Sequence, residues 1–222
     1  MELILRTATA ADLDDLANIA CAAFPADPQW DYRFPRRKEF PDDTYRCTRE
    51  GYKSMLEEDG VAINVITTDV HGAQQPIALA VWELMFEETS NFLDIANCDD
   101  RRDADFKRMK AFDDACFKAK KTFFDDVYGD QQIHLRILAT HPDWQRHGAG
   151  TKHCNWGLDL AYDHRIPVTV LSSPLGGQLY TYLKFETLGF FKVQVEGEEE
   201  KLSIGAMVKH YKDDDGELEK RF

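Results

Sequence analysis

The sequence predicts an α/β domain built on a mixed sheet, and three observations predict it. Over residues 131–172 an apolar run, a turn of small residues, a helical stripe and a second apolar run follow one another, which is the order of a parallel strand pair joined by a crossover helix. Residues 191–195 and 202–208 alternate apolar and polar around the charged turn 196–201, which reads as an antiparallel pair closing the sheet. A short strand, Leu3-Ile4-Leu5, and an amphipathic helix open the chain.

Taken in order, Thr9 followed three residues later by Asp12 is an acidic form of the capping box and starts the first helix. Leu13, Leu16, Ala17, Ala20 and Phe24 give it one buried stripe, and Pro25 and Pro28 end it. Residues 25–42 read as loop. A second helix is expected from about Asp43, with Tyr45, Thr48, Tyr52, Met55 and Leu56 on one face and Gly60 as its stop. Val61, Ile63 and Val65 alternate as a strand, 69–75 reads as turn, and Ile77 to Phe86 is a continuous apolar run expected to be covered on both faces. Glu83 is the single charge in that run.

Residues 87–130 read as a helical insertion in which Phe106, Met109, Phe112, Cys116, Phe117, Lys120 and Phe124 keep a helical spacing. It is either a helix packed on the sheet or a lid over a site. Strand 131–140, a helix over about 148–164, strand 167–172, a helix near 175–184 and the closing hairpin follow, and the tail from about 212 reads as frayed. No internal repeat or linker divides residues 1–222, so a single domain is expected.

Composition narrows the function. Lys and Arg number 27 against 40 Asp and Glu, a net charge of −13 that repels a phosphate backbone, so nucleic acid is not an expected partner. The excess negative charge is compatible with a cationic amine substrate. Cys21, Cys47, Cys98, Cys116 and Cys154 are odd in number and scattered, the pattern of free thiols in a reducing compartment, so no disulfide is expected. No stretch reaches membrane-spanning length and residues 1–6 lack a signal-peptide pattern, so a soluble cytoplasmic protein with no membrane partner is expected, as monomer or homodimer. The histidines show no zinc spacing, and no metal is expected.

The most informative segment is Leu138-Ala139-Thr140-His141-Pro142-Asp143-Trp144-Gln145-Arg146-His147-Gly148-Ala149-Gly150-Thr151. A strand ends, a loop turns, and a helix begins on Gly148, Ala149 and Gly150, whose small side chains leave backbone N–H groups bare at the positive end of a helix dipole. That is a cradle for an anion such as a pyrophosphate. It is neither a Walker loop nor a GxGxxG, since His153 stands where the third glycine would be.

Gln145-Arg146-His147-Gly148-Ala149-Gly150 resembles the Q/R-x-x-G-x-G/A signature of the GNAT superfamily of N-acetyltransferases. A second run, Ser172-Ser173-Pro174-Leu175-Gly176-Gly177-Gln178-Leu179-Tyr180-Thr181-Tyr182-Leu183-Lys184-Phe185-Glu186, is similar to the A/S-S-P-x-G-x-x-L-Y-x-x-L-G-F-E run of the same family and lies in the expected order. The resemblance spans roughly residues 2–211. It implies the GNAT acyl-CoA N-acyltransferase fold, a mixed central sheet with helices on both faces. One departure is Lys184 in place of the glycine before the phenylalanine. If that position needs positive φ, the lysine must reshape the helix exit; alternatively its side chain reaches the cofactor phosphates, or is solvated.

The resemblance further implies acetyl-coenzyme A as co-substrate and direct acetyl transfer to a primary amine, with a small-molecule acceptor expected. The pyrophosphate would lie on backbone N–H groups of Arg146, His147, Gly148, Ala149 and Gly150, with Gln145, Arg146 and Thr151 at the rim and Ser173 and Gly176 from the second motif. Arg146 is either on a phosphate or simply solvated. The thioester carbonyl would meet a backbone N–H of Leu138, or else of Ala139, with Thr140 beside them. Tyr180 would protonate the leaving thiolate, with Tyr182 as fallback. The acceptor ammonium needs a base, and the candidates are His134, eleven residues before Gln145, and Glu83. Ordered water is the alternative to both. Two other functions remain open: an acetyl-coenzyme A sensor without turnover, and a protein N-terminal or lysine acetyltransferase.

Overall fold

The computed structural model describes residues 1–84, 98 and 100–211. The elements are β1 (Ile4–Thr7), α1 (Leu13–Ala23), α2 (Pro28–Arg33), α3 (Pro41–Leu56), β2 (Val61–Val70), β3 (Ala73–Leu84), α4 (Phe106–Lys120), the one-turn α5 (Asp126–Tyr128), β4 (Ile133–Thr140), α6 (Ala149–His164), β5 (Val168–Ser172), α7 (Pro174–Tyr182), β6 (Glu186–Val193) and β7 (Leu202–Lys209). The strands form one sheet in the order β1-β2-β3-β4-β5-β7-β6. The β4–β5 pair, joined through α6, is parallel and the neighbouring pairs are antiparallel, so the sheet is mixed.

Helices cover both faces, and β3 shows why its sequence is apolar throughout. Leu79 and Val81 pack with Leu16, Ile19, Ala20, Tyr52 and Met55 of α1 and α3. Ala80 and Trp82, on the other face, pack with Cys154 and Ala161 of α6 and Tyr180 of α7. A Cβ at Gly157 would lie 2.3 Å from the Trp82 ring, so that glycine sets how closely α6 approaches β3. At the N-terminus, Asp12 accepts from the Thr9 N–H at 2.8 Å and from both terminal nitrogens of Arg6, which starts α1 where the sequence places it.

Three local expectations are corrected. Residues 25–42 are not all loop: Asp27 accepts from the Gln29 N–H at 3.3 Å and Pro28 fills the first helical position, the N-cap arrangement that starts α2. The α3 helix begins at Pro41 rather than Asp43, with the proline at the first helical position and no side-chain cap from Phe40. The turn after β2 is only His71-Gly72, both at positive φ (56 and 87), with Asp69 accepting from the Gly72 N–H. This is a two-residue primed turn, so β3 starts at Ala73 rather than Ile77.

The expectation of five free thiols is also corrected. Cys47 and Cys98 form a disulfide across a separation of 51 residues, and Cys21, Cys116 and Cys154 are not disulfide-bonded. Tertiary docking brings the pair together: Asp43 accepts from the Arg102 backbone and Nε at 2.8 Å, and the Thr44 hydroxyl donates to Asp103 at 2.7 Å, so segment 100–105 is tied along α3.

In α4, Met109, Phe112, Cys116 and Lys120 are buried as the spacing predicts, whereas Phe106 and Phe117 face solvent. The helix packs against Trp30, Tyr32 and Phe34 and against Val193 and Ile204, so its described part is a packed wall. The remainder of the expected 87–130 insertion, and the tail from 212, lie outside the described residues.

Candidate active site

A cleft of about 490 Å³ runs across the C-terminal edge of β4, between α6 and α7 on one side and α2 and α4 on the other. Its floor comes from a parting of strands. β4 and β5 pair only over Ile133↔Val168, His134↔Thr169 and Leu135↔Val170, whereas β4 stays on β3 as far as Ala78↔Thr140. A bulge between Val81 and Trp82, opposite Arg136, turns the end of β4 at that point. Leu138, Ala139 and Thr140 therefore line the cleft from a strand with no β5 partner.

The cradle follows. Gln145, Arg146, Gly148, Ala149, Gly150 and Thr151 all line the cleft. The Gln145 side-chain amide donates to the Thr140 carbonyl at 3.2 Å and ties the loop to its strand. Gly148 is the N-cap of α6 at φ 89, and a Cβ there would meet nothing within 4 Å, so the space above the helix N-terminus is open. A 16-residue helix thus presents its first N–H groups to an unfilled site, which fits a pyrophosphate. His147 does not line the cleft; its Nδ1 lies 2.8 Å from the Gln145 carbonyl and braces the loop. Ser173 and Gly176 line the cleft, with the Ser173 hydroxyl accepting from the Gly176 N–H at 3.1 Å as the cap of α7.

Tyr180 and His134 also line the cleft, both almost fully buried. Burial, with the Cys154 thiol nearby, pushes the Tyr180 phenol well above its ordinary value. Burial, with the Lys120 and Arg136 cations, pulls the His134 imidazole well below its own. At neutral pH each is therefore uncharged: a phenol with its proton to give, an imidazole with a lone pair to receive one. Tyr182 is 73% exposed and does not line the cleft. Glu83 stands opposite His134 across the β3–β4 register but outside the cleft lining, with Lys120 at 3.5 Å and Arg136 at 3.8 Å. Burial raises its carboxyl pKa and those two cations pull it back.

The other arm of the cleft is walled by Asp27, Trp30 and Arg33 around α2, which sequence reasoning passed over, and by Phe112 and Cys116 of α4, which it placed on a helical stripe without a site role of their own. Arg33 lies over the Phe112 ring at 4.2 Å and the Phe34 ring at 5.1 Å. The signal that could have found α2 was present, an Asp-Pro N-cap followed by aromatic residues at i and i+4, Trp30 and Phe34.

No family model matches the sequence. An acetyltransferase of Stachybotrys chartarum is 27% identical over 201 residues, covering 87% of this chain and 85% of that protein. A GNAT superfamily phosphinothricin acetyltransferase from Sinorhizobium meliloti, solved with AcCoA, superposes at a TM-score of 0.50 with 15% identity, covering 99% of this chain and 95% of that one. The chain is similar to acetyltransferases and has the fold of the GNAT acyltransferases. A mosquito arylalkylamine N-acetyltransferase like 5b also superposes, at a TM-score of 0.58 with 14% identity, covering 94% of this chain and all of that one. No helix among the described residues is long and apolar enough to cross a membrane, and no described cluster of His, Cys, Asp and Glu could hold a metal.

Proposed function

We propose that this chain transfers an acetyl group from acetyl-coenzyme A to a primary amine of a small molecule. One observation carries the reading: the open N-terminus of α6 above Gly148, the end of β4 that has parted from β5, Tyr180 and His134 all line one continuous cleft. The thioester of acetyl-coenzyme A supplies the activated acetyl group. Backbone N–H groups of the Gly148 turn hold the pyrophosphate. An N–H at Leu138 or Ala139 stabilises the oxyanion that develops on the acetyl carbonyl. His134 takes the proton of the acceptor ammonium, and Tyr180 gives its proton to the departing sulfur. The arm walled by Asp27, Trp30, Arg33 and Phe112 receives the acceptor, and its largely buried walls suit a small amine better than an extended peptide.

The test begins with calorimetric titration of acetyl-coenzyme A, with coenzyme A and ATP as controls. Micromolar binding that ATP does not reproduce is expected. In Gly148→Val, whose side chain would enter the open space at a positive φ, that affinity should fall at least tenfold. Release of coenzyme A thiol over a panel of small amines then reports turnover. Binding without thiol release for any amine would instead favour a sensor.

A further inference from the structure

A chain of hydrogen bonds behind His134 has a direction that can be read from its far end. Gln132 Nε2 lies 3.0 Å from Asp125 Oδ1 and 3.0 Å from the Gly129 carbonyl. Both partners can only accept, the Asp125 carboxylate being paired with Lys120 at 3.0 Å, so the amide must turn its NH₂ toward them and its carbonyl oxygen the other way. That oxygen, Oε1, faces the Thr169 hydroxyl at 2.8 Å. The second acceptor near the hydroxyl is the Ile133 carbonyl at 3.5 Å. Whichever takes the hydroxyl proton, it leaves Thr169 Oγ1 with a lone pair toward His134 Nδ1, 2.9 Å away. A lone pair facing a ring nitrogen requires that nitrogen to carry hydrogen. Phe124, whose ring centroid is 5.6 Å from that of His134, holds the imidazole plane. Phe124 and Asp125 both come from the π-helical turn Lys121–Asp125, a local widening of the kind that re-aims side chains at functional sites.

We propose that Thr169 and Gln132 are positioning residues that lock His134 in the Nδ1-protonated tautomer, so that Nε2 is the atom offered to the proton of the acceptor amine. The second half of this statement rests on the role of His134 proposed above; the first half does not. The charged groups around the imidazole are Lys120 from α4, Arg136 from β4 and Glu83 across the register on β3, and burial, together with the two cations, keeps the ring neutral, the state in which one tautomer must be chosen.

The experiment pairs a spectroscopic reading with kinetics in the full chain. Nitrogen-15 spectra of histidine-labelled protein, with His134→Gln used to assign the ring, should show a protonated Nδ1 and a bare Nε2. Thr169→Val, nearly isosteric, should shift His134 toward the other tautomer or a mixture, while Thr169→Ser keeps the wild-type pattern. On the best amine found in the panel, Thr169→Val should lose about tenfold or more in kcat with acetyl-coenzyme A affinity within about twofold, and Thr169→Ser should recover it. Adding Thr169→Val to His134→Gln should cost nothing further. A protonated Nε2 in the wild type, or an unchanged tautomer in Thr169→Val, overturns the proposal. A locked Nδ1 proton together with full activity in His134→Gln keeps the lock and removes His134 from the reaction.

Discussion

The rings of Tyr180 and Phe185 lie 5.4 Å apart across the end of α7, and the turn between them is made by Lys184 in the left-handed region at φ 65. The Lys184 N–H donates to the Thr181 carbonyl at 3.0 Å and the Phe185 N–H to the Tyr180 carbonyl at 2.9 Å, the paired bonds of a Schellman motif with lysine where glycine usually stands. The departure noticed in the sequence therefore changes the cost of the turn and keeps its shape. A left-handed lysine costs about 1–2 kcal/mol, part of which glycine would return to the unfolded chain as entropy. Lys184→Gly should raise stability by about 0.5–1 kcal/mol in urea unfolding. An unchanged or lower midpoint would mean that the lysine side chain contributes contacts that offset its backbone strain.

The same motif fixes the candidate acid. Tyr180 is held between the Phe185 ring and the cleft with its phenol pKa raised, so it remains protonated through and beyond pH 10, its ordinary value. The sign follows directly: an acid that keeps its proton adds no falling limb to kcat on the alkaline side in the range pH 7–10. Tyr180→Phe should lower kcat by about 10²-fold with the affinity for acetyl-coenzyme A within about twofold. Steady-state kinetics across that pH range, together with calorimetry of both proteins, checks each half. Wild-type kcat in the variant would remove the phenol from the reaction.

Where the sequence was legible, a local pattern carried the information. The crossover β4–α6–β5 and the loop from Gln145 to Gly150 were readable because periodicity and small residues act within a few positions of themselves. The acceptor arm was not, because it is tertiary. Trp30 and Arg33 became wall residues only when α4 packed against α2, and Cys47 met Cys98 only after α3 and segment 100–105 had docked. His134 was legible as a candidate, but its tautomer depends on Thr169 and Gln132, 35 and two residues away in sequence.

The Cys47–Cys98 bond closes a separation of 51 residues beside the Asp43–Arg102 ion pair, so breaking it frees a long loop in the unfolded chain. Loop-closure entropy for that length gives a stabilisation of about 4 kcal/mol, with about 2–4 the usual outcome. Replacing both cysteines by alanine should lower the stability by that amount, and a reductant should bring the wild type to the same guanidinium midpoint. A midpoint indifferent to reductant would show that the two thiols are not joined in solution.

His153 gives the clearest pH dependence. It is fully buried on α6, and neither ring nitrogen meets a partner in hydrogen-bond geometry among the described residues. Burial pulls its pKa down to about 3, and the nearby Ala78 backbone offsets little of that. An unfolded histidine titrates near 6.5, so between about pH 6.5 and pH 3 the unfolded chain binds a proton that the folded one refuses. Stability is then complete above pH 6.5 and falls as the pH drops through that window, by about 2 kcal/mol at pH 5. His153→Leu removes the ionisable ring and leaves no buried donor or acceptor without a partner, so it should lose that part of the slope while folding as well as the wild type at pH 8. Urea unfolding of both proteins at pH 8 and pH 5 isolates the effect, since the remaining acid-titrating groups are common to both. Equal losses in the two proteins would mean that His153 acquires a partner in solution and is not held neutral by the core.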